Sequence, residues 1–320
     1  MSEKDPQTII LGTRGSELAL VQASTTEALL RAAFPNLHIE RRIIRTTGDR
    51  RTDVALAEVA KVEGVFDKGV FIKELEIELE NGGIDIAVHS LKDMPTTLDE
   101  KFQLAAVFER AAVRDVLVSK DGSDIASLPK GARVGTSSVR RAKQLAFLRP
   151  DVEILDLRGN VPTRLRKLED GDVYDAILLA EAGMQRLGYL EAETANADES
   201  EPVKGMSGLH VRRLPESEFF PAAGQGAIGL EIRAGDEQVH EILQYINHTA
   251  TWQRITAERE FLRLLDAGCH TPVGVFSSLV DDALHLKALV FPESGGEPRS
   301  GEASGIDPLK VAQALFQSLK

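Results

Sequence analysis

Residues 132–180 read ARVGTSSVRRAKQLAFLRPDVEILDLRGNVPTRLRKLEDGDVYDAILLA, and this stretch alternates apolar runs with stretches of helical spacing. In chain order it predicts strand, helix, strand, helix and strand at 132–136, 138–148, 152–157, 161–169 and 174–180. Strands joined through a helix run parallel, and near-continuous apolar strands are buried on both faces of a sheet. The stretch therefore predicts an α/β fold in which helices cover both faces of a mostly parallel sheet.

The rest of the chain first continues this alternation and then departs from it. Upstream, strands are predicted at 8–12, 37–45, 84–89, 102–108 and 115–119, with helices at 16–34 and 71–83. The acidic run EAETANADESE (191–201) is typical of an exposed insertion. Beyond residue 233 the pattern predicts a smaller α+β domain, with helices and strands at 250–266, 273–280, 284–291 and from 308.

Composition limits the classes of function. The 320 residues include 38 Lys and Arg against 50 Asp and Glu, a net charge of −12, which disfavours broad nucleic-acid binding. A single cysteine, Cys269, excludes an internal disulfide and fits a reducing compartment. The N-terminus lacks the apolar core of a signal peptide, and no apolar run approaches the roughly 20 residues that cross a bilayer. We therefore expect a cytoplasmic protein that does not insert into a membrane.

Arginines occupy three predicted strand-to-helix junctions: Arg14, then Arg140 and Arg141, then Arg158 and Arg164. A helix N-terminus is the positive end of the helix dipole and favours acidic residues, so repeated arginines there indicate function. The carboxyl ends of strands in open α/β sheets bind ligands, and guanidinium groups grip carboxylates or phosphates in bidentate fashion. Carboxylate is favoured, because the chain has neither a P-loop nor a G-x-G-x-x-G after a strand. The alternative for each arginine is a solvated residue or an ion-pair partner.

The segment DIAVHSLKDMPT (85–96) runs an apolar strand directly into Ser90, Lys92 and Asp93 and then into a proline turn. These residues are expected at the carboxyl edge of their sheet, the kind of edge where the arginines also lie. An aspartate there can stabilise a developing cation or pass a proton. The alternative is an aspartate that caps local N–H groups in an Asx turn.

Cys269 lies in LLDAGCHTPVGV (264–275), just after a predicted helix. A lone cysteine is usually a small buried hydrophobe, but the nearby Gly and Pro favour an exposed loop. The neighbouring His270 would point away from the sulfur in an extended segment, so a Cys–His protease dyad is not indicated. A thiolate used for covalent attachment remains open. The histidines show no metal-ligand spacing, and no metal is predicted.

Six segments together resemble the porphobilinogen deaminase family of tetrapyrrole biosynthesis, whose members are also called hydroxymethylbilane synthases. The segments are TRGSELALVQ (13–22), IDIAVHSLKDMPT (84–96), VGTSSVRRAKQL (134–145), LRGNVPTRLRKL (157–168), PAAGQGAIGLE (221–231) and TAEREFL with GCHTPVG (256–262 and 268–274). They cover nearly the whole chain, and several segments in the right order are far more specific than any one alone.

The resemblance implies two periplasmic-binding-protein-like α/β domains joined by a hinge, plus a small C-terminal α+β domain. The implied boundaries are 1–108 with 214–233 for domain 1, 109–213 for domain 2 and 234–320 for domain 3. It also implies a dipyrromethane cofactor held by a thioether to Cys269. A member of this family is a transferase that condenses four porphobilinogen molecules head to tail, releases ammonia and frees hydroxymethylbilane by hydrolysis. The implied oligomeric state is a monomer.

The resemblance also implies roles for individual residues. Asp93, with Lys92 beside it, matches the catalytic aspartate, whose carboxylate stabilises the cation left on a pyrrole nitrogen when ammonia departs. Porphobilinogen carries an acetate and a propionate, so each added pyrrole brings two carboxylates for the arginines to bind. The implied cofactor contacts are Ser90, Lys92, Thr136, Ser138, Arg140, Arg141, Arg164 and Cys269. The implied substrate contacts are Arg14, Ser16, Arg158, Arg164 and Arg186.

One segment departs from the family pattern. The family's mobile lid usually reads K-x-G-G-K-G-L-F-x-K-E-L, whereas here it is KVEGVFDKGVFIKEL (61–75), which is longer and lacks the Gly-Gly pair. Lys61, Lys68 and Phe71 are the matching residues. The behaviour of the lid and the pace of elongation are therefore not carried over.

Two other classes of protein stay open at this point. One is a non-catalytic, two-lobed carboxylate-binding protein that uses the same arginine junctions. The other is a scaffold or regulatory protein that kept the fold and lost activity. Substitution of Asp93, Cys269 or the matching arginines would favour either class, and the sequence keeps all of these residues.

Overall fold

The computed structural model of the chain describes residues 8–47, 72–191, 199–266, 271–292 and 295–320. It divides into two compact units: unit 1 comprises Met1–Arg110 and Ala227–Gln253, and unit 2 comprises Ala111–Gly226 and Arg254–Lys320. The chain therefore passes between the units three times, at 110/111, 226/227 and 253/254, and neither unit is contiguous.

In chain order the strands are β1 (Thr8–Arg14), β2 (His38–Ile44), β3 (Ile86–Ser90), β4 (Phe102–Val107), β5 (Asp115–Ser119), β6 (Arg133–Gly135), β7 (Glu153–Leu155), β8 (Ala176–Ala180), β9 (Glu201–Pro202), β10 (His210–Arg213), β11 (Ile228–Arg233), β12 (Val273–Val280), β13 (Ala283–Val290) and β14 (Arg299–Gly305). The helices are α1 (Glu17–Ala33), α2 (Lys73–Glu80), α3 (Val139–Leu148), α4 (Val161–Glu169), α5 (Glu181–Arg186), α6 (Glu237–Gln244), α7 (Thr249–Leu264) and α8 (Pro308–Ser318).

Unit 1 is built on a sheet with the strand order β2-β1-β3-β11-β4. β1 pairs in parallel with β2 and β3, whereas β11 runs antiparallel to both β3 and β4. β4 consequently points the same way as β3, and β11 is the reversed strand in the described part of this sheet. On α1 the buried residues Ala19, Ala23, Thr26 and Leu30 recur at intervals of three and four, so one helix face packs against the sheet. Leu75 and Leu79 of α2 lie in the core on the sheet's other face.

Unit 2 contains a second large sheet with the order β7-β6-β8-β5-β10-β9. β6 pairs in parallel with β7 and β8, and β5 and β9 run against them. Alternate residues of β5 face opposite cores, because Val116 and Val118 pack with α4 and Leu117 packs with α3. Both faces of the sheet are therefore covered, as the continuous apolar strands predict.

The rest of unit 2 is a three-stranded antiparallel sheet, ordered β12-β13-β14, that packs against α7 and α8. Phe261 of α7 and Leu315 of α8 are fully buried in this smaller core. β14 has the sequence RSGEASG, which carries no large apolar residue, and the sequence analysis did not predict this strand. It forms because β13 supplies a hydrogen-bonding edge and α8 covers one side.

The predicted fold class, an α/β protein with two mostly parallel sheets and a small α+β part, is confirmed. The three-domain boundaries stay a prediction, since the structure divides the chain into two units at somewhat different residues. The lid residues Lys61, Lys68 and Phe71 and the cysteine Cys269 lie outside the described residues, as does most of the acidic insertion at 192–198. Among the described helices, none has the length and apolar character that crossing a bilayer requires.

Candidate active site

One group of candidate residues lies at the carboxyl edge of the unit 1 sheet. β1 and β3 are parallel neighbours, with Leu11 opposite Ile86, so Arg14 and Ser90 end adjacent strands at this edge. Ser16 follows as the N-cap of α1, and its hydroxyl accepts a hydrogen bond from the Ala19 N–H at 3.4 Å. The predicted residues Arg14, Ser16 and Ser90 are therefore brought to one edge of one sheet.

Ser90 is held by a residue that the sequence analysis did not identify. Gln22 lies on α1 with 2% of its surface exposed, and its amide nitrogen donates to the Ser90 hydroxyl at 2.8 Å. The same hydroxyl lies 3.3 Å from the Gln22 amide oxygen, to which it can donate. Gln22 thus fixes the end of β3 against α1, immediately before the turn that carries Lys92 and Asp93.

Asp93 ends a single 3₁₀ turn, Leu91–Asp93, whose two ends are anchored in the core. Leu91 and Met94 on either side are each 1% exposed, and the Met94 N–H donates to the Leu91 carbonyl at 3.1 Å. Gly229 of β11 makes room for them, because a Cβ there would lie 2.9 Å from Leu91 Cδ1. The side chains of Lys92 and Asp93 are left half-buried at the sheet edge.

The Asp93 carboxylate has no hydrogen-bond or ion-pair partner in the described part of the chain. The turn therefore does not use this carboxylate as an Asx cap, which was the alternative interpretation of the sequence. A half-buried carboxylate on a rigid turn is a group that can act on a ligand without first breaking an internal contact.

A separate group of candidate residues lies at the carboxyl edge of the unit 2 sheet. Thr136 follows β6 and is 4% exposed, and its hydroxyl accepts from the Ser138 N–H at 3.2 Å. Ser138 is the N-cap of α3 and accepts from the Arg141 N–H at 3.4 Å. Both predicted hydroxyl residues thus order the loop that starts α3, and this places Arg140 and Arg141 in its first turn.

Arg140 and Arg141 are buried and share one acid, Asp115, which is fully buried at the start of β5. Arg141 donates from Nε and Nη2 to Asp115 Oδ1 at 3.0 and 2.7 Å, and from Nη1 to the Leu178 carbonyl at 3.1 Å. Arg140 Nη1 lies 2.7 Å from Asp115 Oδ2 and also donates to the Phe220 carbonyl. The ion-pair alternative raised from the sequence therefore holds for both arginines.

Two further arginines of unit 2 make fewer hydrogen bonds to the described residues than Arg140 and Arg141 do. Arg158 follows β7, and its Nη1 is buried without a hydrogen-bond partner in the described part of the chain. Arg186 ends α5 and donates from Nη2 to the Gly226 carbonyl at 2.8 Å. Burial lowers the pKa of Arg186 to about 10. A buried guanidinium without an acid is costly, so both residues are suited to receive a carboxylate from outside the chain.

Gly226 is required at its position for a reason of geometry. Its φ is +85°, and a Cβ would lie 2.5 Å from the Ala111 carbonyl oxygen. The Gly226 carbonyl accepts from the Ala111 N–H at 3.3 Å as well as from Arg186.

Arg164, the remaining predicted arginine, donates from Nε to the Gly159 carbonyl at 2.7 Å, so it is partly used in shaping the start of α4.

Sequence reasoning missed Asp115 and Gln225. Gln225 is 1% exposed and donates from Nε2 to Asp115 Oδ1 at 3.0 Å and to the Val113 carbonyl at 2.7 Å. An acid directly before the apolar residues 116–118 of β5 is an available signal, because a buried carboxylate needs a cation. Which cation it meets depends on contacts between residues far apart in the chain, which local patterns do not contain.

The residues present fit an anionic pyrrole cofactor and substrate. Among the described residues, Arg158 Nη1 has no hydrogen-bond partner, and the desolvated Arg186 has no acidic partner. The Asp93 carboxylate likewise has no partner in that part of the chain. Among the described residues, no group of three or more His, Cys, Asp and Glu side chains could hold a metal ion.

Comparison with known proteins identifies the family. The family model described as porphobilinogen deaminase, dipyromethane cofactor binding domain, matches residues 9–241, and the porphobilinogen deaminase C-terminal domain matches residues 252–320. A curated porphobilinogen deaminase of Syntrophobacter fumaroxidans is 44% identical over 289 residues, which cover 90% of this chain and 86% of its own. That of Moorella thermoacetica is 44% identical over 313 residues, covering 97% and 92%.

Solved structures are similar at a much lower level. The BenM effector binding domain with its effector benzoate covers 75% of this chain and 91% of its own, at 15% identity and a TM-score of 0.42. A similarity of this size carries no functional information. The family models and the curated relatives confirm the resemblance that the six sequence segments indicate. The chain therefore belongs to the porphobilinogen deaminase family.

Proposed function

We propose that this chain carries out its family's reaction, with Asp93 as the catalytic residue and the predicted arginines as the groups that bind carboxylates. The reaction is the transferase step of tetrapyrrole biosynthesis in which four porphobilinogen molecules are condensed head to tail, with release of ammonia, into hydroxymethylbilane. The observation that carries the proposal is that two groups of opposite charge, the Asp93 carboxylate and Arg158 Nη1, have no partner within the described residues.

Asp93 is the catalytic residue in this proposal. Loss of ammonia from porphobilinogen leaves positive charge that is delocalised onto the pyrrole nitrogen. A carboxylate beside the pyrrole N–H stabilises that charge as it forms, and it can accept the proton released when the new ring regains aromaticity. The anchored 3₁₀ turn keeps the carboxylate in place, so little reorganisation is needed during the reaction. Lys92, half-buried beside it, lends positive charge for a nearby carboxylate.

The arginines and hydroxyls of unit 2 bind the carboxylates of cofactor and substrate. In this assignment Arg140, Arg141, Arg164, Thr136 and Ser138 serve the cofactor, together with Ser90 and Lys92 of unit 1. Arg158 and Arg186, with Arg14 and Ser16 of unit 1, serve the incoming substrate. Each charge-assisted hydrogen bond contributes on the order of 1.5–3 kcal/mol. Because the protein is acidic overall, this local concentration of cations is what attracts an anionic substrate.

Dipyrromethane, the cofactor of this family, supplies the pyrrole carbon to which the first porphobilinogen is joined. We propose that Cys269 holds it through a thioether, as the GCHTPVG motif implies.

We also propose that the protein works as a monomer in the cytoplasm, which the single cysteine and the net charge of −12 support. The non-catalytic carboxylate-binding alternative is not favoured, because the curated relatives named above are enzymes that cover most of the chain.

Intact-mass measurement tests the proposal directly. Protein from a host that makes porphobilinogen should exceed the sequence mass by two linked pyrrole units, and Cys269→Ala should abolish the excess. The control is the unaltered chain from a host that cannot make porphobilinogen, which should have the bare mass and gain the excess when porphobilinogen is added. A bare polypeptide from the first host would refute attachment and the catalytic role with it.

A further inference from the structure

Asp115 has no place in the chemistry described above, yet it contacts two arginines that are assigned to the cofactor. Its side chain is fully buried, and it contacts Arg140 at 2.7 Å and Arg141 at 2.7 Å. Gln225 adds a neutral donor to Oδ1 at 3.0 Å. Burial alone would raise the pKa of Asp115, but the charges and hydrogen bonds of the two arginines outweigh burial and hold the pKa well below its usual range. Asp115 is therefore ionised in the folded protein.

The charges of this cluster leave one positive charge over. Two guanidinium groups and one carboxylate sum to a single net cation, and burial lowers the pKa of Arg140. In the described part of the chain nothing accepts from Nε or Nη2 of Arg140, because the contacts to Asp115 and Phe220 both use Nη1. Arg141, in contrast, has Nε, Nη1 and Nη2 engaged. The N–H donors that remain available for a ligand carboxylate therefore belong to Arg140.

A protein that binds an anionic cofactor has to fold before the cofactor arrives, because the binding site exists only in the folded chain. Two adjacent buried arginines without any anion would oppose that folding, since an uncompensated buried charge is strongly unfavourable. A single internal carboxylate reduces the repulsion while leaving net attraction for a ligand carboxylate. The arrangement around Asp115 meets both requirements.

We propose that Asp115 is a positioning residue that acts as the counter-charge of Arg140 and Arg141 in the cofactor-free protein, and that carboxylates of the bound cofactor take over part of this role. The inference rests on the proposed function, because it assigns the two arginines to the cofactor. It predicts that the stability of the protein depends on Asp115 far more before the cofactor is attached than afterwards.

A second buried acid in unit 2 provides a matched control. Glu181 is fully buried and bridges two arginines, with Arg114 Nε at 2.9 Å and Arg213 Nε at 2.7 Å. Neither arginine is assigned to cofactor or substrate. Gln225 provides a second control, because Gln225→Met removes a hydrogen bond to Asp115 without changing any charge.

The experiment compares thermal unfolding of each variant in two states. Protein is made in a host that cannot produce porphobilinogen, and half is then incubated with porphobilinogen and checked for loading by intact mass. Asp115→Asn should lower the Tm of the cofactor-free form by roughly 10 °C and that of the loaded form by less than half as much. Glu181→Gln and Gln225→Met should lower the Tm of the two forms by equal amounts.

Equal losses for Asp115→Asn in the two states would overturn the proposal. If cofactor-free Asp115→Asn does not fold but the protein made with porphobilinogen does, the proposal is supported. If neither form folds, Asp115→Asn is combined with Arg141→Gln, which removes one charge of each sign. Recovery of a folded cofactor-free protein supports the counter-charge, and failure to recover overturns it. Failure of the unaltered chain to gain mass would instead refute the proposed function, so the two failures are distinguishable.

Discussion

Asp93 of unit 1 and Asp115 of unit 2 each lie at the carboxyl edge of the parallel strands of a large sheet, but their surroundings are opposite. Asp93 is half-buried on a short turn and has no partner within the described residues. Asp115 is fully buried and contacts two arginines and an amide. An acid that acts on a substrate has to be left uncommitted, whereas an acid that holds other side chains in place has to be satisfied.

Removing Asp93 should give the largest effect on catalysis. Asp93→Ala should lower the rate of porphobilinogen consumption by about 10³-fold, because the developing cation loses its nearest carboxylate. The unfolding temperature should hardly change, since the carboxylate makes no contact to lose with the residues that the structure describes. Single-turnover kinetics and thermal unfolding measure the two quantities. Asp99→Ala, at an exposed acid of the same unit, is the control and should leave the rate unaltered. Near-normal turnover by Asp93→Ala would remove Asp93 from the mechanism.

Among the arginines, Arg158 and Arg133 differ in the same way, because only Arg133 has an acidic partner in the described part of the chain. Arg158→Gln should reduce kcat/KM for porphobilinogen roughly 10- to 100-fold, the loss expected for one charge-assisted hydrogen bond. Stability should not fall, because Arg158 Nη1 has no partner in the described part of the chain. Arg133→Gln is the matched control, since Arg133 begins β6 at the opposite edge and pairs with Asp175 at 2.9 Å. Equal kinetic losses in both variants would assign Arg158 to structure rather than to substrate.

Glu76 sharpens the comparison because it is a half-buried acid of unit 1 that has no arginine partner among the described residues. Burial, helped by the charge of Glu231 and opposed by His89, raises the pKa of Glu76 to about 7 from an ordinary 4.5. Between these pH values the unfolded chain releases a proton that the folded chain keeps, so the free energy of unfolding falls as pH rises through this window. Glu76→Gln should flatten that fall and add about 1 kcal/mol at pH 8, after allowance for the partial exposure of the carboxyl group.

Chemical denaturation at several pH values measures this effect. Glu27→Gln serves as a control of opposite sign, because hydrogen bonds and charge from Arg41 and Arg31 outweigh burial and lower the pKa of Glu27. Glu27→Gln should therefore lose stability above pH 4.5, where Glu76→Gln gains it. An unchanged pH slope in Glu76→Gln would show that Glu76 ionises alike in the folded and unfolded chains.

Much of the fold follows from local sequence, and the exceptions have a common cause. The strand at 115–119 and the helix at 161–169 have the predicted bounds, because continuous apolar runs and helical spacing with a cap are local signals. β14 was missed because its residues are small or polar and its partner β13 determines it. α5 and α6 were likewise not predicted from the sequence.

The candidate site was predictable in its residue types but not in its pairings. The motifs indicated the arginines, and the structure places them at or near the carboxyl edges of two separate sheets, with Arg14 in unit 1 and the others in unit 2. That Arg140 and Arg141 share Asp115, and that Gln22 fixes Ser90, depends on contacts across many residues of chain. A search for charged residues heading apolar strands would have identified Asp115 but not its partners.

The position of β11 has a consequence for synthesis on the ribosome. β11 lies between β3 and β4 in the unit 1 sheet, yet it is translated about 120 residues after β4. At about 5–20 residues per second, the nascent chain spends on the order of ten seconds with a strand missing from the middle of that sheet. β5 to β10 all emerge during this interval, so the sheet begun second can be completed first. Fragments that end before Ile228 would expose two unpaired strand edges, which invite aggregation.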